Sequence, residues 1–513
     1  MSGRAQLREA PARRPLDLLF LTILAFVITG APVLLNQLGQ PLAIAFCLTA
    51  SCLVVIYCER AVPIVLLVSL LFQTMFVAMA SPYAAQISDL DAARAYNFVT
   101  AVGFWLTVMA RLVLGLDQVS PFVLRMILAT SCILGLAGIF FVLGLSIDFR
   151  GSTIYMRNIG LPVLLFQICL LVASRRQLAM RQTAGLLLAL MVACGYVELL
   201  AIRNWLDFTN GRTYWELAST AMRQGPTFDA NARATGIVVG DTIDFLTTDL
   251  FNSSLLGDLH IRVVRLQGPN FHPISFGYAL AILSAFVAVH GRLLLPVAAI
   301  PLLLVVGAKG SLVLLLVTLV FCLISRFYQG ILLPIGLAIV LALFAAFAFY
   351  TGLQVGDFHV LGLIGGVEGF LANPAGHTLG AGGNLSTDFA GIDWSKYQHE
   401  GATDIAVESA AGVMLYQMGV AGIVVIAIYL WLASAAWRLF RSLHAQALAL
   451  TTVLIATMLV NGLFQEEAWF APLALGLALA FAGLTFGAVD RRVVSLIQDA
   501  KFSHARDTLV AAT

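Results

Sequence analysis

The chain alternates between long apolar runs and shorter polar connectors along almost its whole length. Crossing the hydrocarbon core of a bilayer takes an α-helix of about 17–25 mostly apolar residues, and we count about fourteen runs of that kind. They are centred near residues 26, 49, 71, 105, 133, 165, 193, 280, 301, 318, 341, 422, 455 and 480. The pattern predicts an all-α polytopic membrane protein, and an even number of spans places both termini on the same side.

The composition agrees with this interpretation. Of the 513 residues, 60% are hydrophobic and 11% are charged, and the mean hydropathy is +0.94, far from the balance of a soluble globular protein. The first apolar run follows four arginines, as in a signal peptide. However, no small-residue cleavage site leads into a soluble domain, so we expect a retained first span.

Neither the cysteines nor the net charge adds a special class of function. All seven cysteines lie inside apolar runs without the spacing of metal ligands, which is typical of small buried hydrophobic residues. We therefore expect no disulfide framework and no zinc site. We also expect no cofactor. A net charge of +2 gives no indication of a nucleic-acid partner.

The distribution of basic residues supports the span count. Cytoplasmic loops carry an excess of Lys and Arg, and alternate connectors do so here. The connectors assigned to the inside contain Arg60, Arg111, Arg175, Arg176, Arg181, Arg292, Arg326, Arg438, Arg441, Arg491 and Arg492. Both termini are therefore predicted to be cytoplasmic, and the short outer connectors carry few charges.

Two long hydrophilic segments fall on the outer side under this orientation. Long loops in compact architectures are usually functional or disordered, and neither segment is of low complexity. The first is rich in aromatic residues, which favours short packed surface helices. The predicted division is a cytoplasmic tail (1–15), N-terminal transmembrane helices (16–203), a first large outer loop (204–267), central transmembrane helices (268–352), a second large outer loop (353–406), C-terminal transmembrane helices (407–489) and a cytoplasmic tail (490–513).

Arginine is concentrated in the first outer loop, although the whole chain has only three lysines. The planar guanidinium fork binds phosphate oxygens in pairs, so an arginine set near the outer leaflet suits a lipid-linked diphosphate. Solvation and pairing with the many aspartates of the loop would explain the same residues. The candidate diphosphate ligands here are Arg212, Arg233, Arg262 and Arg265, of which the last two run directly into a span.

Two further candidates lie at the outer ends of central spans. Lys309, in GAKGS, is the only lysine within the apolar region, and a cation at that depth is costly unless it is paired or faces water. We interpret it as a further diphosphate ligand. His272 precedes Pro273, where it could act as a ligand or base or simply form a hydrogen bond at the start of a helix.

The second outer loop supplies candidate bases and a glycine turn. Glu408 is the most constrained carboxylate because it precedes an apolar run, although a carboxylate there also favours a helix N-terminus; His377 and Asp404 are alternative bases. The stretch AGHTLGAGGN has no strand before it, so we exclude a dinucleotide loop. We expect Gly380, Gly382 and Gly383 to allow a tight turn or the close approach of substrate.

These residues resemble the O-antigen polymerase and O-antigen ligase superfamily of bacterial envelope glycosyltransferases. The resemblance covers mainly residues 262–422, about a third of the chain. In RLQGPNFHPISFG the matching positions are Arg265, Gly268, Asn270 and Pro273, and AKGS places Lys309 where the family usually has arginine. A second match consists of Gly380, Gly382, Glu408, Gly419 and Gly422. Ligases typically have histidine at the position of Glu408, which favours a polymerase.

The resemblance implies a GT-C-like fold in the bacterial inner membrane, with both large loops in the periplasm. It implies metal-independent, inverting transfer of a glycan from undecaprenyl diphosphate to an acceptor sugar hydroxyl on a growing chain. The cations would stabilise the leaving diphosphate, and Glu408 would orient or deprotonate the acceptor. Membrane lipids, a flippase and chain-length regulators are the further partners implied.

Two alternative functions stay open at this point. A ligase that transfers finished polymer to a lipid or protein acceptor shares nearly every feature above. A lipid or sugar transporter would instead place ionisable residues through the centres of its spans, whereas here they cluster at outer ends and in outer loops.

Overall fold

The long helices follow from the absence of water in a bilayer, where each backbone N–H and C=O must find its partner within the protein. The computed structural model describes residues 15–84, 86–223, 243, 246–249, 261–387, 389, 392 and 394–512. Its N-terminal helices are α1 (Pro15–Leu35), α2 (Gln40–Tyr57), α3 (Val62–Ala80), α4 (Ile87–Arg94), α5 (Tyr96–Val113), α6 (Pro121–Gly144), α7 (Phe149–Arg175), α8 (Met180–Leu200), α9 (Ile202–Phe208) and α10 (Gly211–Arg223).

A short antiparallel pair, β1 (Thr247–Asp249) and β2 (Arg262–Val264), precedes the second group of helices. That group comprises α11 (Pro273–Val289), α12 (Leu294–Val306), α13 (Lys309–Ser325), α14 (Leu332–Val355), α15 (Phe358–Ala372), α16 (Trp394–Glu400), α17 (Ala410–Met418), α18 (Val420–Leu443), α19 (Gln446–Asn461), α20 (Glu467–Phe470) and α21 (Leu477–Ala512). A π-helical turn, Pro472–Gly476, leads into α21.

The prediction of an all-α polytopic membrane protein is confirmed. Each of the fourteen predicted span centres lies within a helix. In the described part of the chain, ten helical segments are long and apolar enough to cross a membrane. The predicted centres near 280, 301, 318 and 455 fall instead in apolar helices of 13–17 residues.

The pair α7 and α21 forms the centre of the bundle. In α7, and in the segment Pro472–Leu496 that contains the first part of α21, 89% of the residues in the most apolar stretch are buried. The corresponding share for α14 is 17%, which places this helix at the periphery of the bundle. Two glycines let these helices approach closely. A Cβ atom at Gly483 would lie only 2.3 Å from the carbonyl oxygen of Phe166, and one at Gly487 would lie only 2.4 Å from that of Leu170. Small residues permit such backbone contact between membrane helices.

One end of the bundle, which we call the basic face, carries a buried ion-pair network. Arg175 lies 2.6 Å from both Glu59 and Asp117, and Arg111 lies 2.9 Å from Asp117. Arg176 pairs with Glu59 at 2.7 Å. The structure thus joins arginines from connectors that the sequence pattern assigns to the same side of the membrane.

The opposite end, which we call the loop face, collects the remaining connectors. Its described residues are 36–39, 81–84, 86–96, 144–155, 198–223, 262–272, 306–310, 356–387, 394–419 and 461–471, and these segments contact one another across the bundle. Both long hydrophilic segments predicted from the sequence contribute to it.

The second long segment is more structured than a loop. Its first third forms the apolar helix α15, which packs against α17 so closely that a Cβ at Gly366 would lie 2.4 Å from the Cα of Gly412. The predicted span near residue 422 is also interrupted at Gly419, which has φ of 55° between α17 and α18. In the first segment, α9 and α10 confirm the expected short helices.

Candidate functional site

The turn between α19 and α20, residues 461–467, lies at the centre of the loop face. Tyr155, from α7, donates a hydrogen bond to Oε1 of Glu466 at 2.5 Å. The backbone N–H of Asn384 donates to Oε2 of the same carboxylate at 3.0 Å. Glu466 is only 3% exposed, so this carboxylate ties the central helix to the glycine-rich stretch of the second loop.

The surroundings of Glu466 favour its neutral form. Burial raises the pKa of the Glu466 carboxyl to about 8, although the hydrogen bonds from Tyr155 and Asn384 act in the opposite direction. The negative charges of Glu467 and Glu408 raise the pKa further. Three carboxyl groups therefore lie within electrostatic range of one another around this turn.

Glu408 is held in a strained backbone conformation at that turn. Its φ of 59° lies in the left-handed region that non-glycine residues rarely adopt. Its N–H donates to Oδ1 of Asn384 at 2.8 Å, and its Oε2 lies 3.4 Å from Nδ1 of His359. The residue immediately precedes Ser409, whose hydroxyl caps α17, as the sequence pattern indicated.

The glycines of the second loop form a tight turn against α7. Gly380, Gly382 and Gly383 have φ of 90°, 70° and 86°. A Cβ at Gly383 would lie 1.8 Å from the Tyr155 hydroxyl, and one at Gly380 would lie 2.7 Å from the backbone nitrogen of Ser152. The close approach that these glycines allow is to the protein's own chain.

His377 stacks flat on Tyr416. The two rings lie 4.1 Å apart with an interplanar angle of 11°, and Nδ1 of His377 lies 3.1 Å from the Tyr416 carbonyl oxygen. The structure thus gives His377 contacts that hold the start of the glycine turn.

Arg265 is fixed on the other side of the 461–467 turn. Its Nε donates to the Val306 carbonyl at 3.1 Å. Burial lowers the pKa of its guanidinium, and the charge of Glu467 opposes this. Arg265 therefore lies within electrostatic range of Glu467, at the loop-face end of α12.

Glu198 holds the segment that follows Arg265. Its carboxylate accepts hydrogen bonds from the N–H groups of Gln267, at 3.0 Å and 3.2 Å, and Gly268, at 2.7 Å. Its observed hydrogen-bond donors are these backbone amides. A carboxylate accepts such amides well because both oxygens are charged acceptors.

His272 sits among these charges at the start of α11. It accepts a hydrogen bond from Ser275 N–H at its Nδ1, at 3.3 Å. Burial lowers the pKa of the His272 imidazole, Glu467 raises it, and Arg265 and Arg94 lower it. Burial and the two arginines thus favour the neutral form of His272, which lies within electrostatic range of Arg265, Arg94 and Glu467.

Arg94 and Arg157 extend the positive region beyond the residues identified from sequence. Arg94, at the end of α4, donates to the Tyr214 hydroxyl at 2.6 Å and pairs with Asp91 at 3.0 Å. Arg157, on α7, lies within electrostatic range of both Asp91 and Arg94. The cations of the loop face therefore come from α4, α7 and the segment before α11.

Lys309 begins α13 beside the same turn. Its neighbour Gly310 accepts a hydrogen bond from Asn461 Nδ2 at 2.8 Å, and a Cβ at Gly310 would lie 2.4 Å from the Tyr278 hydroxyl and 3.0 Å from Gln465. Lys309 itself is exposed. The predicted cation thus lies at the edge of the 461–467 turn.

Other predicted site residues lie away from this cluster. Arg212 is partly exposed and pairs with Asp207 at 3.2 Å, and Arg262 is exposed on β2. Asp404 is 66% exposed and pairs with Lys396 at 3.3 Å. Hydrogen bonds from Tyr397 and Lys396 lower the pKa of Asp404, which makes it a weak base. Arg233 lies outside the described residues.

Several polar atoms at the cluster are unsatisfied by any described residue, among them the Oδ1 atoms of Asn461 and Asn270. Within the described part of the chain, the buried Oε2 atom of Glu467 has no hydrogen-bond partner. Buried acceptors are normally paired, so an orphaned one calls for an explanation such as a ligand or a bound water. This oxygen belongs to the carboxylate that acts on both Arg265 and His272.

Sequence reasoning did not select Glu466, Glu467, Tyr155, Arg94 or Arg157. The signal for the two glutamates is present in NGLFQEEAWF, where adjacent carboxylates stand between two apolar helices; charge at that position is costly unless it serves a site. Arg94 and Arg157 carry no comparable local signal, since only the fold brings them towards Arg265.

No family model, curated protein or solved structure matches this chain. The chemistry of the site therefore has to be argued from its own geometry. Arginines and a lysine on one side of the 461–467 turn, and Glu408 on the other, form an arrangement that can hold an anionic group next to a proton acceptor.

Proposed function

We propose that this protein is a polysaccharide polymerase that extends a glycan from a polyprenyl-diphosphate-linked donor at the outer face of the bacterial inner membrane. In this proposal all fourteen predicted helices span the membrane, with a GT-C-like arrangement and cytoplasmic termini. The loop face then lies in the periplasm, where lipid-linked repeat units would meet the growing chain.

The meeting of cations and carboxylates at the 461–467 turn is the observation that carries the proposal. Arg265 is bound to Val306 at the end of α12, and Lys309 begins α13 next to Gly310, which binds Asn461 of the turn. Glu408 is linked to the turn through Asn384. Glu466 joins the two sides, because it binds Asn384 and responds to the charges of Glu467 and Glu408. A donor diphosphate and an acceptor hydroxyl could thus be held next to one another.

The transfer would be a single displacement with inversion. The acceptor oxygen forms a bond to the anomeric carbon as the bond from that carbon to the diphosphate oxygen breaks, and the diphosphate leaves with the electron pair. Arg265 and Lys309 stabilise this growing negative charge. The acceptor proton passes to the Glu408 carboxylate, which His359 orients at 3.4 Å.

A chromosomal deletion, complemented with wild-type or variant genes, tests the proposal. We expect the deletion strain to accumulate single repeat units on the lipid diphosphate, and Arg265→Lys and Glu408→Gln to fail to restore polymer. Arg441→Lys and Glu368→Gln are matched controls, because both residues are exposed and lie outside the cluster. Protein levels in membranes are measured for all four variants.

Other outcomes identify the competing functions. Long polymer that stays on the lipid diphosphate and never reaches its acceptor indicates a ligase. Repeat units trapped on the cytoplasmic face indicate a transporter. Normal polymer length in Arg265→Lys contradicts a bidentate role for this arginine in binding diphosphate.

A further inference from the structure

A cavity of about 550 Å³ opens on the loop face beside the cation cluster. It lies between the α1–α2 turn, the outer end of α3 and helix α4. Its volume falls within the range of about 300–1,000 Å³ that is usual for small-molecule sites. No residue proposed for the transfer reaction lines it.

The cavity has an apolar floor and a polar rim. The floor belongs to a small hydrophobic cluster that includes Val77 and Leu90, both at most 2% exposed. The rim carries amide, hydroxyl and carboxylate groups from Asn36, Gln37, Gln40, Tyr83, Ser88 and Asp89. Sugars have the matching chemistry, because their ring faces are apolar and their edges carry hydroxyls that both donate and accept hydrogen bonds.

The charge of the rim selects among possible ligands. Of the described residues that line the cavity, none is arginine, lysine or histidine, and Asp89 is the one ionisable acid. A phosphate or diphosphate group would therefore meet no opposite charge there. This contrasts with the nearby cluster that contains Arg94 and Arg265, so the two sites suit different parts of a glycolipid or different substrates.

Tyr83 provides an aromatic surface at the mouth of the cavity. Its side chain is 76% exposed, although tyrosine has a large apolar ring that is usually at least half buried. Its position on the short turn after α3 fixes the backbone next to the rim. An exposed ring beside amides and hydroxyls is a platform on which the apolar face of a sugar can stack.

The cavity and the cation cluster share structural elements. Helix α4 contributes Asp89 and Ala93 to the cavity, and it contributes Asp91 and Arg94 to the ion pairs with Arg150 and the bond with Tyr214. The hydrophobic cluster beneath the cavity also contains Phe271, the neighbour of His272. A ligand in the cavity would thus lie next to the site of transfer.

We propose that this cavity binds neutral sugar residues of the growing glycan, upstream of the residue that reacts. The identification of the occupant as the acceptor chain rests on the proposed function, whereas the affinity for a neutral carbohydrate rests on the cavity alone. Such a site would hold the polymer between successive additions.

Binding is tested with purified full-length protein in detergent and with oligosaccharides released from the surface polysaccharide of the parent strain. Saturation-transfer NMR detects contact, and titration gives the dissociation constant. We expect Tyr83→Ala to weaken binding by about tenfold, and Tyr83→Phe to retain most of it because the ring remains. The matched control is Tyr57→Ala, since Tyr57 is 81% exposed at the end of α2 on the basic face.

Equal binding by wild type and Tyr83→Ala, or no binding by wild type, overturns the proposal. It is also overturned if native mass spectrometry shows a phospholipid that is retained by the wild type and lost in Tyr83→Ala. The deletion strain tests the proposed function independently of the binding measurements. If oligosaccharide binding depends on Tyr83 while the deletion strain still makes normal polymer, the carbohydrate site stands and the polymerase does not.

Discussion

The hydroxyl of Tyr155 donates to the buried carboxylate of Glu466 at 2.5 Å and accepts a hydrogen bond from Leu385 N–H at 3.3 Å. Tyr155 is itself fully buried on the central helix α7. One phenol thus serves both a titratable group and the backbone of the glycine-rich turn.

Tyr155→Phe removes both hydrogen bonds while keeping the ring. We expect it to lower the free energy of unfolding by about 1–3 kcal/mol, because the buried Glu466 carboxylate and the partly buried N–H of Leu385 each lose a partner. Thermal unfolding of the detergent-solubilised protein measures this. Tyr350→Phe is the control, since its side chain is 64% exposed, and an equal loss in both variants would contradict the prediction.

Glu466 makes the stability of the protein depend on pH. Its pKa is raised to about 8 in the folded protein from the ordinary 4.5, so the folded state keeps a proton that the unfolded state has lost. This contribution is fully present below about pH 4.5 and is lost as the pH rises through about 8. Between about pH 4.5 and about pH 8, the unfolding temperature of Glu466→Gln should fall less than that of the wild type. An equal fall in both proteins would show that other groups cause it.

Gly383 and Gly401 separate two effects of adding a side chain. Both have positive φ, at 86° and 82°, but a Cβ at Gly383 meets the Tyr155 hydroxyl at 1.8 Å whereas one at Gly401 meets nothing within 4 Å. Gly401→Ala should cost about 1–2 kcal/mol of unfolding free energy from backbone strain. Gly383→Ala should cost about 2–4 kcal/mol because steric overlap is added. Equal losses would mean that the turn moves away from α7 without penalty.

Glu198 is expected to act on the site by positioning Arg265. Glu198→Gln replaces one charged acceptor oxygen by an NH₂ group that faces the N–H of Gln267 or Gly268, so the segment after Arg265 should shift. We expect roughly tenfold less polymerisation activity at similar protein level, measured by incorporation of labelled repeat units in membranes. The control is Glu368→Gln on the exposed side of α15. If polymerisation is unchanged in Glu198→Gln, the hydrogen bonds from the Gln267 and Gly268 N–H groups to Glu198 do not position Arg265.

Arg175 offers a test at the opposite end of the bundle. Arg175→Met leaves Glu59 and Asp117, with side chains 3% and 7% exposed, without their closest cation. Removal of the sole partner of a buried charge costs about 3–5 kcal/mol, and we expect a smaller loss here because Arg176 still pairs with Glu59 and Arg111 with Asp117. The unfolding temperature should fall, while the product made per folded molecule stays unchanged. A change in polymer length would show that the basic face influences the site.

Much of the helical plan could be predicted because a bilayer imposes it residue by residue. An apolar run of span length has few alternatives to a helix, so every predicted centre falls in one. The interruption at Gly419 and the apolar helix α15 escaped prediction, since hydropathy measures neither backbone conformation nor whether an apolar helix crosses the membrane or packs beside a neighbour.

The candidate site was less predictable because its members are distant in sequence. Glu408 and Lys309 could be selected from the sequence alone, because a charged residue beside an apolar run is energetically costly unless it serves a site. Tyr155 and Glu466 are 311 positions apart, and each is unremarkable alone. Arg212, in contrast, looked like part of a phosphate-binding set by composition, yet its observed partner Asp207 is five residues away.

The backbone contact between α15 and α17 leaves these helices little room to move relative to one another. A glycine pair at Gly366 and Gly412 leaves no side chain to repack, so these two helices are expected to behave as one rigid block that carries Glu408 with it. If the protein acts as proposed, the surface that contacts the glycan is preorganised, and specificity for a repeat unit would come from a fixed binding surface rather than from a loop that closes over the substrate.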